Sequence, residues 1–277
     1  MSMRPTRSTG VAAVIPAKDE AERIAATISA IQDIAGVDLV VVVDDGSTDD
    51  TAEIASAAGA IVVRHASNRG KSAAMASGAR RVTQEDVTEG LSVGRPLLFV
   101  DADLEASAAN LAPLVVPVIL GRTDLAIANL PPQHTPGGGR GRVVRLAQRG
   151  IVTITGYRAV QPLSGQRCIS RAAFDAATPL ARGWGVEVGM TIDVLQAGFT
   201  VSEIPCDVQH RVTGGDWRGK AHRAKQLRDV ALALAVREAP RVHKDAAAIA
   251  GWAWRRMPTE RIVEKASAIG RRRGSGT

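Results

Sequence analysis

Five consecutive apolar residues, 11–15, open the patterned part of the chain and stop at Pro16, as a strand buried on both faces does. Ile24, Ile28 and Ile31 follow at helical spacing behind an acidic stretch, so a helix is predicted to start near Asp19. Further apolar runs at 39–43, 60–63 and 96–100 read as strands, with helices predicted over 51–58 and 71–82 between them. A helix near 110–120 and a strand near 125–128 come next. PPQHTPGGGRGR then reads as a Pro- and Gly-rich loop leading into a helix that ends about residue 155. Residues 183–196 form an apolar-rich helical pattern carrying Glu187 and Asp193, and GFTVSEIPCDVQHR alternates like a strand. An amphipathic helix over 222–238, with Ala224, Leu227, Ala231 and Leu234 on one stripe, stops before Pro240.

Strands alternating with helices predict an open, mostly parallel α/β sheet covered on both faces, with ligands gathered at the carboxyl ends of its strands. The polar clusters fall at those ends. Where a dinucleotide-binding sheet would carry GxGxxG after its first strand, this chain reads PAKDEAER, which argues against nicotinamide chemistry.

Charge changes the picture at one end only. The 277 residues carry a net +7, but residues 211–277 hold 16 Lys+Arg against 6 Asp+Glu, while residues 1–210 hold 19 against 22. The excess belongs to the tail. Aromatics are 3% of residues and no nucleic-acid-binding motif occurs, so the basic balance does not point to nucleic acid. The longest apolar run, 111–120, has ten residues and two prolines, far short of a membrane span. The polar, basic N-terminus lacks the pattern of a secretory signal, and a cytoplasmic protein is expected. Cys168 and Cys206 form neither a metal spacing nor a disulfide framework.

Asp101-Ala102-Asp103 directly follows an apolar strand. On an extended segment residues i and i+2 share a side, so both carboxylates can meet one hard divalent cation that bridges a diphosphate; a solvated turn would look the same. Asp44-Asp45-Gly46-Ser47 ends another strand at the same sheet edge, suited to hydrogen-bonding a base or ribose and equally to turn and cap chemistry. Lys71 opens a helix after Gly70, where a cation and backbone amides can meet phosphate. Gln161 to Gly165 is a turn whose backbone can approach a sugar closely, and His210 ends a predicted strand as a candidate metal ligand.

Taken in order, PAKDE, VVVDDGSTDDT, RGKSAAM and LLFVDADL resemble the nucleotide-sugar half of GT-A glycosyltransferases of the family-2 type, over residues 11–104. GGGRGRVVRLAQR, QPLSGQ, GWGVEVGMTIDVL and VQHR extend the likeness to about residue 215 and are similar to the glucosyl-3-phosphoglycerate synthases, a retaining group. The resemblance implies a GT-A fold, a Rossmann-like sheet with a basic helical C-terminal extension. It covers a catalytic domain over 11–215 with nucleotide-sugar (11–104) and acceptor (105–215) halves; a disordered N-terminus is expected over 1–10 and a basic helical region with a disordered end over 216–277.

The resemblance also implies roles. Pro16, Ala17, Glu20 and Asp45 would surround the nucleotide base, although the synthases usually have Ser where Asp45 stands. Lys71 would serve the diphosphate, Asp101 and Ala102 the ribose side, and Asp103 with His210 a Mg²⁺ or Mn²⁺ ion. Glu187 would hold sugar hydroxyls, Leu163, Ser164 and Gly165 would shape the sugar site, and Gly141 with Arg142 would grip an acceptor phosphate. Asp103, Glu187 and Lys71 would be the catalytic set. Val144 and Val212 stand where the synthases have hydrogen-bonding Thr and Asn.

The implied activity is hexosyl transfer, with glucose the expected sugar, from a UDP- or GDP-linked donor to a phosphorylated small molecule. EIPCDVQHRVTGG and the basic helix after it also resemble polyprenyl-phosphate glycosyltransferases, with Arg223, Lys225, Arg228, Trp252 and Trp254 as a candidate contact with an anionic membrane. That alternative adds a peripheral location on the inner membrane face. Nucleotidyl transfer is a weaker reading, because PAKDE lacks the Gly-rich opening of that chemistry. The sequence leaves homodimerisation open.

Overall fold

The computed structural model describes residues 10–131, 141–208 and 224–238. His210, Trp252, Trp254 and most of the Gly-rich loop at 132–140 lie outside the described residues.

Strands β1 (Val11–Ala17), β2 (Val37–Asp44), β3 (Ile61–Arg64) and β4 (Leu97–Phe99) pair in parallel, with β1 between β2 and β4. Helices α1 (Ile24–Gln32), α2 (Thr51–Ala57) and α3 (Lys71–Thr88) connect them. The apolar runs are continuous because the sheet is covered on both sides. Val11, Ala13 and Ile15 pack with Ile24, Ile28 and Ile31 of α1, whereas Ala12 and Val14 pack with Met75 and Val82 of α3. The two-residue strand period thus splits one apolar run between two cores.

Two helix boundaries correct the sequence reading. Helix α1 begins at Ile24 rather than near Asp19. Asp19 adopts φ 55° and its amide donates to Ser47 Oγ, while the Glu20 amide donates to Thr51 Oγ1, so this acidic stretch is committed to the loop after β2. Helix α3 runs on past residue 82 to Thr88, six residues further, because its last turns find a buried use: Asp86 pairs with Arg95 at 2.7 Å.

A 3-10 stretch, Glu105–Leu111, leads into α4 (Ala112–Ile119), followed by β5 (Leu125–Asn129) and α5 (Arg142–Thr155). Strand β6 (Arg167–Ile169) and helix α6 (Arg171–Ala176) come next, then a 3-10 turn at Gly183–Gly185, helix α7 (Val186–Gln196) and β7 (Val201–Pro205). The seven strands lie in the order β3-β2-β1-β4-β6-β5-β7, with β6 antiparallel to both neighbours and every other pair parallel. β6 and α6 have no counterpart in the sequence reading. β6 is three residues long and starts with an arginine, so it has no apolar period to read. Chain order reverses across β1 and β4, which places the cleft above their carboxyl ends.

A third apolar cluster joins Ala147, Ile151 and Ile154 of α5 to Val188 and Ile192 of α7, and adds Val230 and Leu234 from the helical residues 224–238. It anchors the second half of the cleft. Among the described residues no helix is long and apolar enough to cross a membrane.

Candidate active site

The loops after β1 and β2 are laced together. Asp19 Oδ1 accepts the Thr48 amide at 2.8 Å, and Asp49 Oδ2 accepts the Ala21 amide at 3.1 Å. Hydrogen bonds from Thr48 and Lys18 hold the Asp19 carboxyl below the usual carboxylate range. Pro16 and Ala17 end β1 opposite Val43 and Asp44, and Glu20 binds Arg23 Nε at 2.7 Å. Gly46 completes the seam: at φ 75°, a Cβ there would lie 2.7 Å from the Ser67 carbonyl carbon, so only glycine lets the chain before α3 approach.

Asp45 is almost fully buried, at 5% exposure, and both its oxygens are engaged. Oδ1 meets His65 Nδ1 at 2.7 Å and the Arg69 amide at 2.8 Å, and Oδ2 accepts the Gly70 amide at 2.7 Å. Burial would raise this carboxyl, but the Arg69 amide, His65 and the Gly70 amide together hold it below its ordinary value. Asp45 therefore fixes the turn that presents Lys71.

At the centre of the cleft, Lys71 Nζ lies 2.7 Å from Asp101 Oδ1 and 3.2 Å from Glu187 Oε1. Burial alone would lower the ammonium; the two carboxylates outweigh it and raise Lys71 above its ordinary range. Gln166 Nε2 donates to Asp101 Oδ2 at 2.9 Å. The turn at Leu163, Ser164 and Gly165 closes over this group so tightly that a Cβ on Gly165 would stand 2.5 Å from Lys71 Nζ. Ser164 Oγ and Gln166 Oε1 are buried there without a hydrogen-bond partner, polar atoms that a hydroxyl-rich ligand would satisfy.

Arg167 underlies the arrangement. Fully buried, it donates to the carbonyls of Pro162, Ser164 and Glu187 and to Thr191 Oγ1, all within 2.9 Å. Burial pulls its guanidinium down to about 10, against the pull of Glu187 and Glu203, so it remains charged at neutral pH. One side chain thus ties the Leu163–Gly165 turn to the first turn of α7, where Glu187 sits.

The Asp101–Asp103 segment differs from the extended form that its sequence suggests. β4 ends at Phe99 and a turn covers Ala102 and Asp103, held by buried Thr27, which binds the Ala102 carbonyl at 2.9 Å and the Glu105 amide at 2.8 Å. Asp101 is drawn to Lys71 and Gln166. Asp103 acts on Arg23, whose guanidinium is raised first by Glu20 and further by Glu22 and Asp103. At the other wall, Gly141 is the extended N-cap of α5 and Arg142 its exposed first residue.

Among the described residues no group of three His, Cys, Asp or Glu could hold a metal by itself. A Mg²⁺ or Mn²⁺ ion fits this chemistry nevertheless. Such ions take one or two carboxylates plus substrate phosphate oxygens rather than an all-protein cage, and the segment after β4 offers two carboxylates, Asp101 and Asp103.

The profile of glycosyl transferase family 2 matches residues 12–170. The chain belongs to glycosyl transferase family 2. Among curated relatives, glycosyltransferase AglJ of Haloferax volcanii is 31% identical over 210 residues, covering 74% of this chain and 65% of that protein. Glucosyl-3-phosphoglycerate synthase of Mycobacterium tuberculosis is 31% identical over 205 residues, covering 66% of this chain and 60% of the synthase. The chain thus spans less than two thirds of the length of these relatives. The crystal structure of that synthase with Mn²⁺, UDP and phosphoglyceric acid superposes with a TM-score of 0.65 at 26% identity, over 83% of this chain and 78% of the other. Further structures of it contain Mg²⁺ with UDP, and Mn²⁺ with UDP-glucose and glycerol 3-phosphate.

This family member therefore has the GT-A sheet, and the structure draws Lys71, Asp101, Glu187 and the Leu163–Gly165 turn into one cluster. Gln166 and Arg167 complete it and were not anticipated. Their signal was present only as the polar pair that follows the Ser-Gly turn, without periodicity to mark it.

Proposed function

We propose that this family-2 glycosyltransferase moves a hexosyl group, with glucose the leading candidate, from a UDP-sugar to a phosphorylated small molecule, in the manner of the glucosyl-3-phosphoglycerate synthases. The observation that carries the reading is Lys71 held between Asp101 and Glu187 under the Ser164-Gly165 turn. The cluster offers a cation for a diphosphate and hydrogen-bonding oxygens for a sugar within one hydrogen-bonded unit.

In the transfer, the bond from the anomeric carbon to the diphosphate oxygen breaks and a bond to the acceptor hydroxyl oxygen forms, while the hydroxyl proton passes to the departing diphosphate oxygen. Charge gathers on the departing UDP. Lys71 stabilises that charge, its ammonium kept protonated by the two carboxylates. Glu187 and the Leu163–Gly165 turn orient the sugar, with Gln166 fixing Asp101 on the ribose side. Pro16, Ala17 and Glu20 line the base end, on loops whose spacing Asp45 helps to set. Gly141 and Arg142 at the start of α5 take the acceptor phosphate, and Val144 makes that grip less polar than in the synthases. Asp103 and His210 would hold a Mg²⁺ or Mn²⁺ ion, which when bound supplies Lewis-acid neutralisation of the diphosphate.

Thermal melting with UDP-, GDP- and ADP-sugars, with and without Mn²⁺, tests this reading. A ligand present at a hundred times its Kd adds about 2.7 kcal/mol to the native state. UDP-glucose with Mn²⁺ is expected to raise the melting temperature most, and no shift with any nucleotide sugar would contradict the proposal.

A further inference from the structure

Away from the Lys71 cluster, the open edge of β3 and the side of α3 that faces it border a solvent-open pocket of about 440 Å³. Small-molecule sites commonly measure about 300–1,000 Å³. The lining is polar and basic: Arg69, Arg80 and Arg81 enter it beside His65, Ser77 and Gln84. No carboxylate lines it. Glu85 meets Arg81 at 2.7 Å from the next helical turn, and Asp45 reaches only the far nitrogen of His65. Its floor is built of buried groups. Ser77, 7% exposed, accepts from Arg80 Nη2 at 2.8 Å and meets His65 Nε2 at 2.9 Å.

We propose that this cavity is a second anion site, taking a small phosphate monoester such as a sugar phosphate. Three guanidiniums line this pocket, Arg69 from the loop before α3 and Arg80 and Arg81 from α3, and among the described residues only Arg81 has a carboxylate partner, so the pocket carries uncompensated positive charge. A dianion relieves it, and the guanidinium fork matches phosphate oxygens with paired hydrogen bonds. Val62 and Val63 of β3 also line the pocket, and with its modest volume they leave room for a short carbon skeleton behind the phosphate. The site shares no residue with Lys71, Asp101, Gln166 or Glu187. It is built on the loop that Asp45 clamps through His65 and the Arg69 and Gly70 amides.

Titration of the full chain with inorganic phosphate at fixed ionic strength, followed by calorimetry, tests the proposal. The Arg80→Gln/Arg81→Gln double variant is expected to weaken this binding by at least about tenfold, since hydrogen bonds to charged groups are the strong ones. Gln84→Glu, an exposed change that sets a carboxylate at the rim, is expected to weaken it without moving the melting temperature. Arg142→Gln is expected to leave this component in place. Absence of phosphate binding in the wild type, unchanged binding in the double variant or in Gln84→Glu, or its loss in Arg142→Gln would each overturn the site. UDP binding, measured on the same samples, reports separately on the Lys71 cleft.

Discussion

Lys71 is held by two carboxylates, and its chemistry follows from that pairing. Its raised ammonium contributes stability that is fully present below the unfolded value near about 10.4 and is lost only as pH rises through the still higher folded value. Between neutral and mildly alkaline pH its charge is therefore constant. Lys71→Met is expected to lower turnover of UDP-sugar by about 10²-fold, as loss of a preorganised charge-stabilising donor does, in steady-state kinetics of UDP release. Asp45 runs the other way. Its lowered carboxyl contributes stability that is present above about 3.9 and is lost as pH falls through the lower folded value. Asp45→Asn is expected to cost about 1–3 kcal/mol in urea unfolding at neutral pH, with the gap from wild type closing in acid. Lys71 and Asp101 were legible because one opens a helix and the other follows an apolar run, whereas Glu187 was singled out by the family resemblance. The Asp45 clamp was not, because its partners His65, Arg69 and Gly70 come together only when the β3–α3 loop folds over Gly46.

The elements show the same division between what period reveals and what tertiary contact decides. β1, β2 and α2 stand within two residues of their apolar runs, since a strand covered on both faces has little choice of register. α1 starts late because its acidic lead-in serves the neighbouring loop, and α3 runs on because Asp86 has a buried partner. β6 hides in RCI, an antiparallel strand specified by its neighbours β4 and β5 and by the four hydrogen bonds of Arg167. The turn before it tolerates little. A Cβ on Gly165 would meet the flexible end of Lys71 at 2.5 Å and Asp101 Oδ2 at 3.0 Å, so the fold can yield while the site cannot. Gly165→Ala is expected to leave the melting temperature nearly unchanged while raising the KM for UDP-sugar by about tenfold, the equivalent of about 1.4 kcal/mol. A large fall in melting temperature would instead assign Gly165 to the fold.

Across the whole molecule, charge and chemistry separate. The cleft lies within residues that carry a slight acidic excess, and the basic surplus is confined to residues 211–277, so the net charge says little about the reaction. The fold and the donor side of the cleft could be read from ordered motifs at the ends of parallel strands. The proposed acceptor side is harder to read, since Val144 stands where the resemblance leads one to expect a hydroxyl and its proposed anchor, Arg142, is an exposed residue at the head of α5. The most direct test of the central claim is mass analysis of the products from UDP-glucose, Mn²⁺ and 3-phosphoglycerate or glycerol 3-phosphate, run beside the Asp103→Asn variant. Free UDP and a hexosylated phosphate acceptor are expected in equal amounts, both lost in the variant. Absence of hexosyl transfer to either acceptor, or product formation undiminished in Asp103→Asn, would contradict it.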